Sequence, residues 1–259
     1  MTKVGNITKE VKMNILVNGI LGFMGKEVRK LCDASYRDSK FACGVDAFVK
    51  DGEPGIYNSL NEVENIDEVD CIVDFSHHCA TPELLKYAVS KKKAVVLATT
   101  GHTEEEIKLV YEASKEIPIF YSANMSLGIA LLVELAKKTA EAMPDAEIEI
   151  IEKHHNRKID APSGTALMIA NALRDVRPNS YAKNGRSGQG KRTKDEIGIH
   201  AIRMGNIVGE HEVIIGTENQ TITLRHEAHS RALFAEGALA AAAFIVGKPA
   251  GLYDMKSLV

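Results

Sequence analysis

Apolar residues fall into two rhythms along this chain, and the change comes near residue 148. Before it, short apolar runs at residues 12–18, 41–45, 69–75, 94–98 and 118–121 alternate with helically spaced stretches at 26–32, 82–90 and 104–115. Strands that alternate with helices predict a parallel sheet with right-handed crossovers. After the change the strand-like runs lengthen, at 146–152, 197–203, 212–216 and 221–225, which predicts a mixed or antiparallel sheet. An amphipathic helix is expected over 166–173, and an Ala-rich helix over 230–246 packs back on the first half, so the chain crosses between two lobes twice. The fold class read from this is α/β, with a Rossmann-type parallel sheet domain and a second α+β domain whose mixed sheet is largely open-faced. The segment 183–196, rich in Gly, Lys and Arg with acidic residues beside it, reads as a mobile solvated loop.

The first strand runs directly into Gly19, Ile20, Leu21, Gly22, Phe23, Met24 and Gly25, followed by a helix. Glycine permits the tight turn and the close approach of backbone to a pyrophosphate, and the helix start favours the anion. A glycine turn alone is a weak signal, but the second strand ends in Asp46, at the distance where an acidic residue takes the adenosine ribose hydroxyls. Ligands on such sheets lie beyond the carboxyl ends of the strands, here the turns at 74–76, 99–101 and 122–125. Each turn by itself is ordinary turn chemistry.

The densest chemistry lies in Glu152-Lys153-His154-His155-Asn156-Arg157-Lys158, followed by Asp160-Ala161-Pro162-Ser163-Gly164-Thr165. Two imidazoles and several cations stand on a strand-to-helix connection, and Ser163 begins a helix whose free amides favour a carboxylate or phosphate. A lone histidine or a serine cap is usually structural. Adjacent strand residues point to opposite faces, so one imidazole suffices to face a cleft. Together the donors suit holding and protonating an anion.

Composition narrows the partners. A net charge of −3 gives no general attraction to nucleic acid or anionic membrane. No apolar run approaches the roughly 20 residues that span a bilayer, and residues 1–12 are polar, so a cytoplasmic protein is expected. Cys32, Cys43, Cys71 and Cys79 lack paired metal-ligand spacing and read as reduced thiols; for His77-His78-Cys79, neighbours in sequence seldom converge on one ion, so no metal is expected.

With both halves in view, the chain resembles the 4-hydroxy-tetrahydrodipicolinate (dihydrodipicolinate) reductases of the diaminopimelate route to lysine. The resemblance rests on the glycine turn, Val73-Asp74-Phe75-Ser76, Thr99-Thr100-Gly101, Ser122-Ala123-Asn124-Met125-Ser126, the 152–165 block, the 203–211 block and Gly251-Leu252-Tyr253-Asp254-Met255. The 152–165 block is the most specific of these. The resemblance implies reduction of a small cyclic dicarboxylate by NADH or NADPH, with His154 and Lys158 as the proton-transfer pair. It also implies His155, Gly164 and Thr165 as substrate-binding residues, beside Ser163 read from the helix start. Gly19 to Met24, Asp46, Ala98, Thr99, Thr100, Ser122, Ala123, Asn124 and Met125 fall where the family binds cofactor.

Members favouring the phosphorylated cofactor often carry Arg after the acidic residue, where this chain has Ala47, and Phe23 replaces an Arg common in the glycine turn. NADH preference is therefore expected. Residues 1–125, completed by 235–259, are expected to form the dinucleotide domain. Residues 126–234 are expected to bind substrate and to build a homotetramer. Two other readings stay open: another two-domain NAD(P)-dependent oxidoreductase of amino-acid metabolism, and a non-catalytic dinucleotide sensor, which has no need of His154 and Lys158 together.

Overall fold

The alternating pattern of the first half is realised as a seven-stranded sheet in which every pairing is parallel. The computed structural model describes residues 12–50 and 53–259, and the polar start at 1–11 lies outside them. The chain divides into two compact units, one drawn from Met1–Met125 and Ala232–Leu258, the other essentially Ser126–Arg231.

In the first unit the strands are β1 (Met13–Asn18), β2 (Ser39–Val45), β3 (Ile56–Tyr57), β4 (Cys71–Asp74), β5 (Ala94–Leu97), β6 (Pro118–Tyr121) and β12 (Gly251–Tyr253), in the order β12-β6-β5-β4-β1-β2-β3. The chain leaves β1 toward β2 on one side and reaches β4 on the other, so the strand order reverses beside β1, which opens a crevice at its carboxyl end. Helix α1 (Phe23–Asp33) packs on α6 (Ala232–Ile245), and α2 (Thr81–Lys91) packs on α3 (Glu104–Ser114). Leu16, Ile72, Val95 and Ile119 join the core beneath α2 and α3. The alternate residues Ile15, Val17, Val73 and Val96 are equally buried, so the sheet is covered on both faces.

The second unit holds a five-stranded sheet of β7 (Glu147–His154), β8 (Tyr181–Asn184), β9 (Glu196–Arg203), β10 (Gly209–Thr217) and β11 (Gln220–Ala228), in the order β11-β10-β7-β9-β8. Pairings β7·β9 and β8·β9 are parallel, and β10 is antiparallel to both neighbours, so the sheet is mixed as expected. Helices α4 (Leu127–Ala142) and α5 (Gly164–Val176) bury Ile129, Leu132, Ala136, Ile169 and Leu173 against Ile148, Ile150, Ile199 and Val213. On β7 the alternate residues Glu149, Ile151 and Lys153 stay partly exposed, leaving the other face open.

Helix α4 is an addition to the expected elements, although Ile129, Leu132, Val133, Ala136 and Ala140 carry helical spacing. The segment expected to be a mobile loop differs too. Its start belongs to edge strand β8, and buried Glu196 opens β9 in an ion pair with Arg186. Arg192 donates to Glu149 and to the carbonyls of Ile148 and Glu196. Burial of acceptors, which composition does not report, turns these cations from solvated groups into fasteners.

Candidate active site

The carboxyl ends of the first sheet enclose two cavities that share Phe75 and Ser76. The larger, about 550 Å³, is lined by Gly19, Leu21, Gly22, Asp46, Ala47 and His77 among others. The smaller, about 280 Å³, takes in Met24, Ala98, Thr99, Thr100, Ala123 and Met125. Ten of the fourteen expected cofactor residues thus line a cavity. Of the other four, Ile20 is buried in the core, Phe23 is the exposed first residue of α1, and Ser122 and Asn124 tie their own turn through Ser122 Oγ. Asn58, Ser59 and Leu60, from a connection without periodicity, complete the larger wall, and nothing in their sequence marks them.

Gly19 adopts φ +83°, and a Cβ there would come within 2.6 Å of the Phe75 carbonyl oxygen. The tight turn and the approach of β1 and β4 therefore both require glycine. Helix α1 has Gly22 at its N-cap and so no side-chain cap, whereas α3, α4 and α5 are capped by Thr103, Ser126 and Ser163. Asp46 accepts from the amides of Leu21 at 3.1 Å and Phe48 at 3.1 Å, which holds its carboxylate at the end of β2 against the glycine turn. A dinucleotide fits these features: a glycine turn, an uncapped helix start and a carboxylate at the next strand end.

Asp74 knits three strand ends together. Its carboxylate accepts from Asn18 at 2.7 Å, Ser76 Oγ at 2.6 Å and Thr99 Oγ1 at 2.6 Å. Full burial raises its pKa despite these bonds.

In the second unit the polar centre is Glu152, fully buried near the end of β7. It has the same parity as Ile148 and Ile150, which aims it toward the helices. Its carboxylate accepts from Arg203 Nη1 at 2.8 Å and Nη2 at 2.7 Å, from the Ser163 amide at 2.9 Å and from His154 Nδ1 at 2.6 Å. Burial pushes the Glu152 pKa up, but the bonds from Arg203, His154 and Ser163 outweigh it and hold the carboxyl below its ordinary range. Strand register makes this possible, since His154 pairs with Arg203 on β9, and Glu152 with His211 on β10.

An ionised carboxylate only accepts, so His154 carries hydrogen on Nδ1 and presents Nε2 away from Glu152. Arg203 also donates to the Asp160 carbonyl at 2.6 Å, and Lys158 Nζ lies 2.7 Å from Asp160 Oδ1. His154 and Lys158 therefore belong to one network running through Glu152, Arg203 and Asp160. His155, just beyond the strand, has a buried Nδ1 with no hydrogen-bond partner. Burial lowers its pKa, and the charges of Arg157, Arg231, His154 and Lys158 add to the effect.

Ser163 caps α5 by accepting from the Ala166 amide at 3.1 Å, and its Oγ also lies 3.1 Å from His211 Nε2. The hydroxyl is thus engaged inside the fold. Gly164 is exposed with open space beyond its Cα, and Thr165 is half-buried beside it. Burial, with the charge of His154 next, pulls the His211 pKa down to about 4, so this imidazole stays neutral. The structural roles of Glu152, Arg203 and His211 are additions to the expected site, although a carboxylate at a buried strand parity is a signal visible in the sequence.

The comparisons with known proteins match the chain along both of its units. The family described as dihydrodipicolinate reductase, N-terminus, matches residues 13–125, and that described as dihydrodipicolinate reductase, C-terminus, matches residues 128–259. The chain is 48% identical over 249 residues to a 4-hydroxy-tetrahydrodipicolinate reductase of Caldanaerobacter subterraneus subsp. tengcongensis, covering 95% of this chain and 98% of that protein. It is 43% identical over 251 residues to one from Clostridium tetani, covering 95% of this chain and 97% of that protein. In fold it is similar to a dipicolinate-bound dihydrodipicolinate reductase from Paenisporosarcina sp. TG-14, with TM-score 0.81, 21% identity and coverage of 96% of this chain and all of that one. Matches that span both units, with the glycine turn in one and the 152–165 block in the other, leave one conclusion: the chain belongs to the dihydrodipicolinate reductase family.

Proposed function

We propose that the protein reduces 4-hydroxy-tetrahydrodipicolinate to tetrahydrodipicolinate with NADH or NADPH, in the diaminopimelate route to lysine. The observation that carries the reading is the network from Lys158 through Asp160, Arg203 and Glu152 to His154, beside the start of α5. Residues 1–125 with 235–259 are assigned to the dinucleotide, through Gly19 to Met24, Asp46, Ala98 to Thr100 and Ser122 to Met125. Residues 126–234 are assigned to the substrate and to assembly as a homotetramer. The partly exposed face of β7 supports assembly, since a sheet face without helices is a natural subunit contact. The cytoplasm, where NAD(P)H is available and free thiols stay reduced, is the proposed compartment.

A bound reduced nicotinamide supplies the hydride. The chain supplies the proton and the anion site. As the imidazolium, with its Nδ1 hydrogen held by Glu152, His154 donates its Nε2 hydrogen to the atom that gains negative charge and is left as the neutral Nδ1–H tautomer, and Lys158 is the second donor. A positioned acid of this kind contributes roughly 10² to 10⁴-fold. His155 and the start of α5 at Gly164 and Thr165 are assigned to the substrate carboxylates, with Ser163 acting by holding that helix start in place.

Asp46 favours ribose hydroxyls and repels a 2′-phosphate, and Ala47 brings no compensating charge, so NADH is the proposed preference. Initial rates with NADH and NADPH on freshly generated substrate test both levels of the reading. Oxidation of neither cofactor refutes the function, and an NADPH advantage of about ten-fold or more refutes only the charge argument at Asp46. Pyridine-2,6-dicarboxylate should compete with substrate, and binding no tighter than a monocarboxylate analogue would remove the anion site.

A further inference from the structure

We propose that His77, His78 and Cys79 form a binding site for a soft divalent cation such as Zn²⁺, with Glu106 as the outer carboxylate that orients His78. Residues adjacent in sequence are expected to diverge. The turn preceding α2 instead gathers them, so that one potential ligand atom from each lies within 4.8 Å of the others. This is the only such group among the described residues.

The distances suit coordination. Cys79 Sγ is 4.0 Å from His78 Nε2, and the two imidazole rings lie 4.3 Å apart. With metal–nitrogen bonds near 2.0 Å and metal–sulfur bonds near 2.3 Å, a tetrahedral edge is about 3.5 Å, so closure needs separations to shrink by up to about 1.3 Å. Cys79 and His77 are exposed, which lets an ion enter and leaves a fourth position for water. His77 Nδ1 receives only a 3.4 Å contact from the Cys79 amide, at the limit of a hydrogen bond and readily given up.

The outer shell is what separates this cluster from chance proximity. His78 Nδ1 lies 3.0 Å from both Glu106 carboxylate oxygens. An ionised carboxylate fixes the hydrogen on Nδ1 and leaves the Nε2 lone pair for the ion, the arrangement that metal-bound histidines use. Glu106 is itself fixed, because it forms the capping box of α3 with Thr103, at 2.8 Å and 3.2 Å. On binding, the Cys79 thiol gives its proton to solvent as the sulfur–metal bond forms. Since His77 also lines the larger cavity, the ion would sit on the wall of the proposed cofactor site.

Co²⁺ titration of the full chain provides the test, because thiolate ligation to Co²⁺ produces an intense ultraviolet charge-transfer band. Cys32, Cys43 and Cys71 are buried, leaving Cys79 as the one exposed thiol, so the band has a single source. Burial also raises the pKa of Cys32 and of Cys43 to about 11. The expected result is a saturable band at one ion per chain, displaced by Zn²⁺. It should be absent in Cys79→Ser and His78→Ala, and Glu106→Gln should weaken affinity by about ten-fold or more. Cys79→Ser should keep wild-type reductase turnover, which shows that loss of the band is not loss of fold. No band in the wild type, or a band that survives in Cys79→Ser, overturns the proposal.

Discussion

Replacing Glu152 by Gln should damage stability and turnover together. The carboxylate is fully buried and accepts four hydrogen bonds, two from Arg203 and one each from His154 and the Ser163 amide. Glutamine keeps the shape but removes the charge, and it turns an amide NH₂ toward a shell made entirely of donors. Breaking a buried pair by removing one partner costs about 3–5 kcal/mol, because the other charge is left uncompensated. The Arg203 side chain is 18% exposed and so recovers some hydration, which places the expected cost near the lower end, about 3 kcal/mol. At about 2–4 °C per kcal/mol for a chain of this size, the melting temperature should fall by about 6–12 °C.

The same substitution removes the acceptor that fixes the His154 tautomer, and kcat should fall by about 100-fold, within the range of a positioned acid. The KM for NADH should stay within about two-fold, since the assigned cofactor residues belong to the other unit. Thermal melts by circular dichroism and steady-state kinetics below the melting temperature measure both effects. Glu152→Asp should melt between the wild type and Glu152→Gln, since it keeps the charge with a shorter reach. A Glu152→Gln protein with unchanged melting temperature and kcat would refute the reasoning that the buried carboxylate organises the site.

His154→Gln should lower kcat by about ten-fold or more with cofactor affinity unchanged, and Lys158→Ala should lower kcat while also raising the substrate KM; kinetics beside cofactor titration read both. Acidification should destabilise the second unit in two windows. Neutral His211, with its pKa depressed from 6.5 to about 4, contributes stability that is complete above pH 6.5 and declines toward pH 4, so His211→Asn should flatten the pH dependence of melting there. Asp160 and Glu210, held low by Lys158 and Lys153 respectively, contribute stability present above the unfolded carboxylate pKa and lost as pH falls through their lower folded values, which acid titration of the melting temperature should resolve. Gly25→Ala should destabilise the first unit by about 1–3 kcal/mol or prevent folding, since its Cβ would meet the Gly19 carbonyl oxygen at 2.2 Å; chemical denaturation measures it.

The sequence by itself determined the elements whose physics is local. Apolar runs such as Val95 to Leu97, short and set between helically spaced stretches, read as buried strands, the run from Gly19 to Gly25 reads as a tight turn into a helix, and Ser163 marks the start of α5 because its side chain replaces a missing backbone acceptor. Tertiary structure decided what those elements bring together. No local signal says that β7 lies between β9 and β10, yet that order brings Arg203 to Glu152 across 51 residues of chain and His211 to Ser163 across 48. It also decided which charges are solvated and which are fasteners. Lys, Arg and Glu read alike in composition, but the low dielectric around Glu152 and Glu196 makes any unpaired charge costly, and so fixes Arg203, Arg186 and the imidazole of His154 in place.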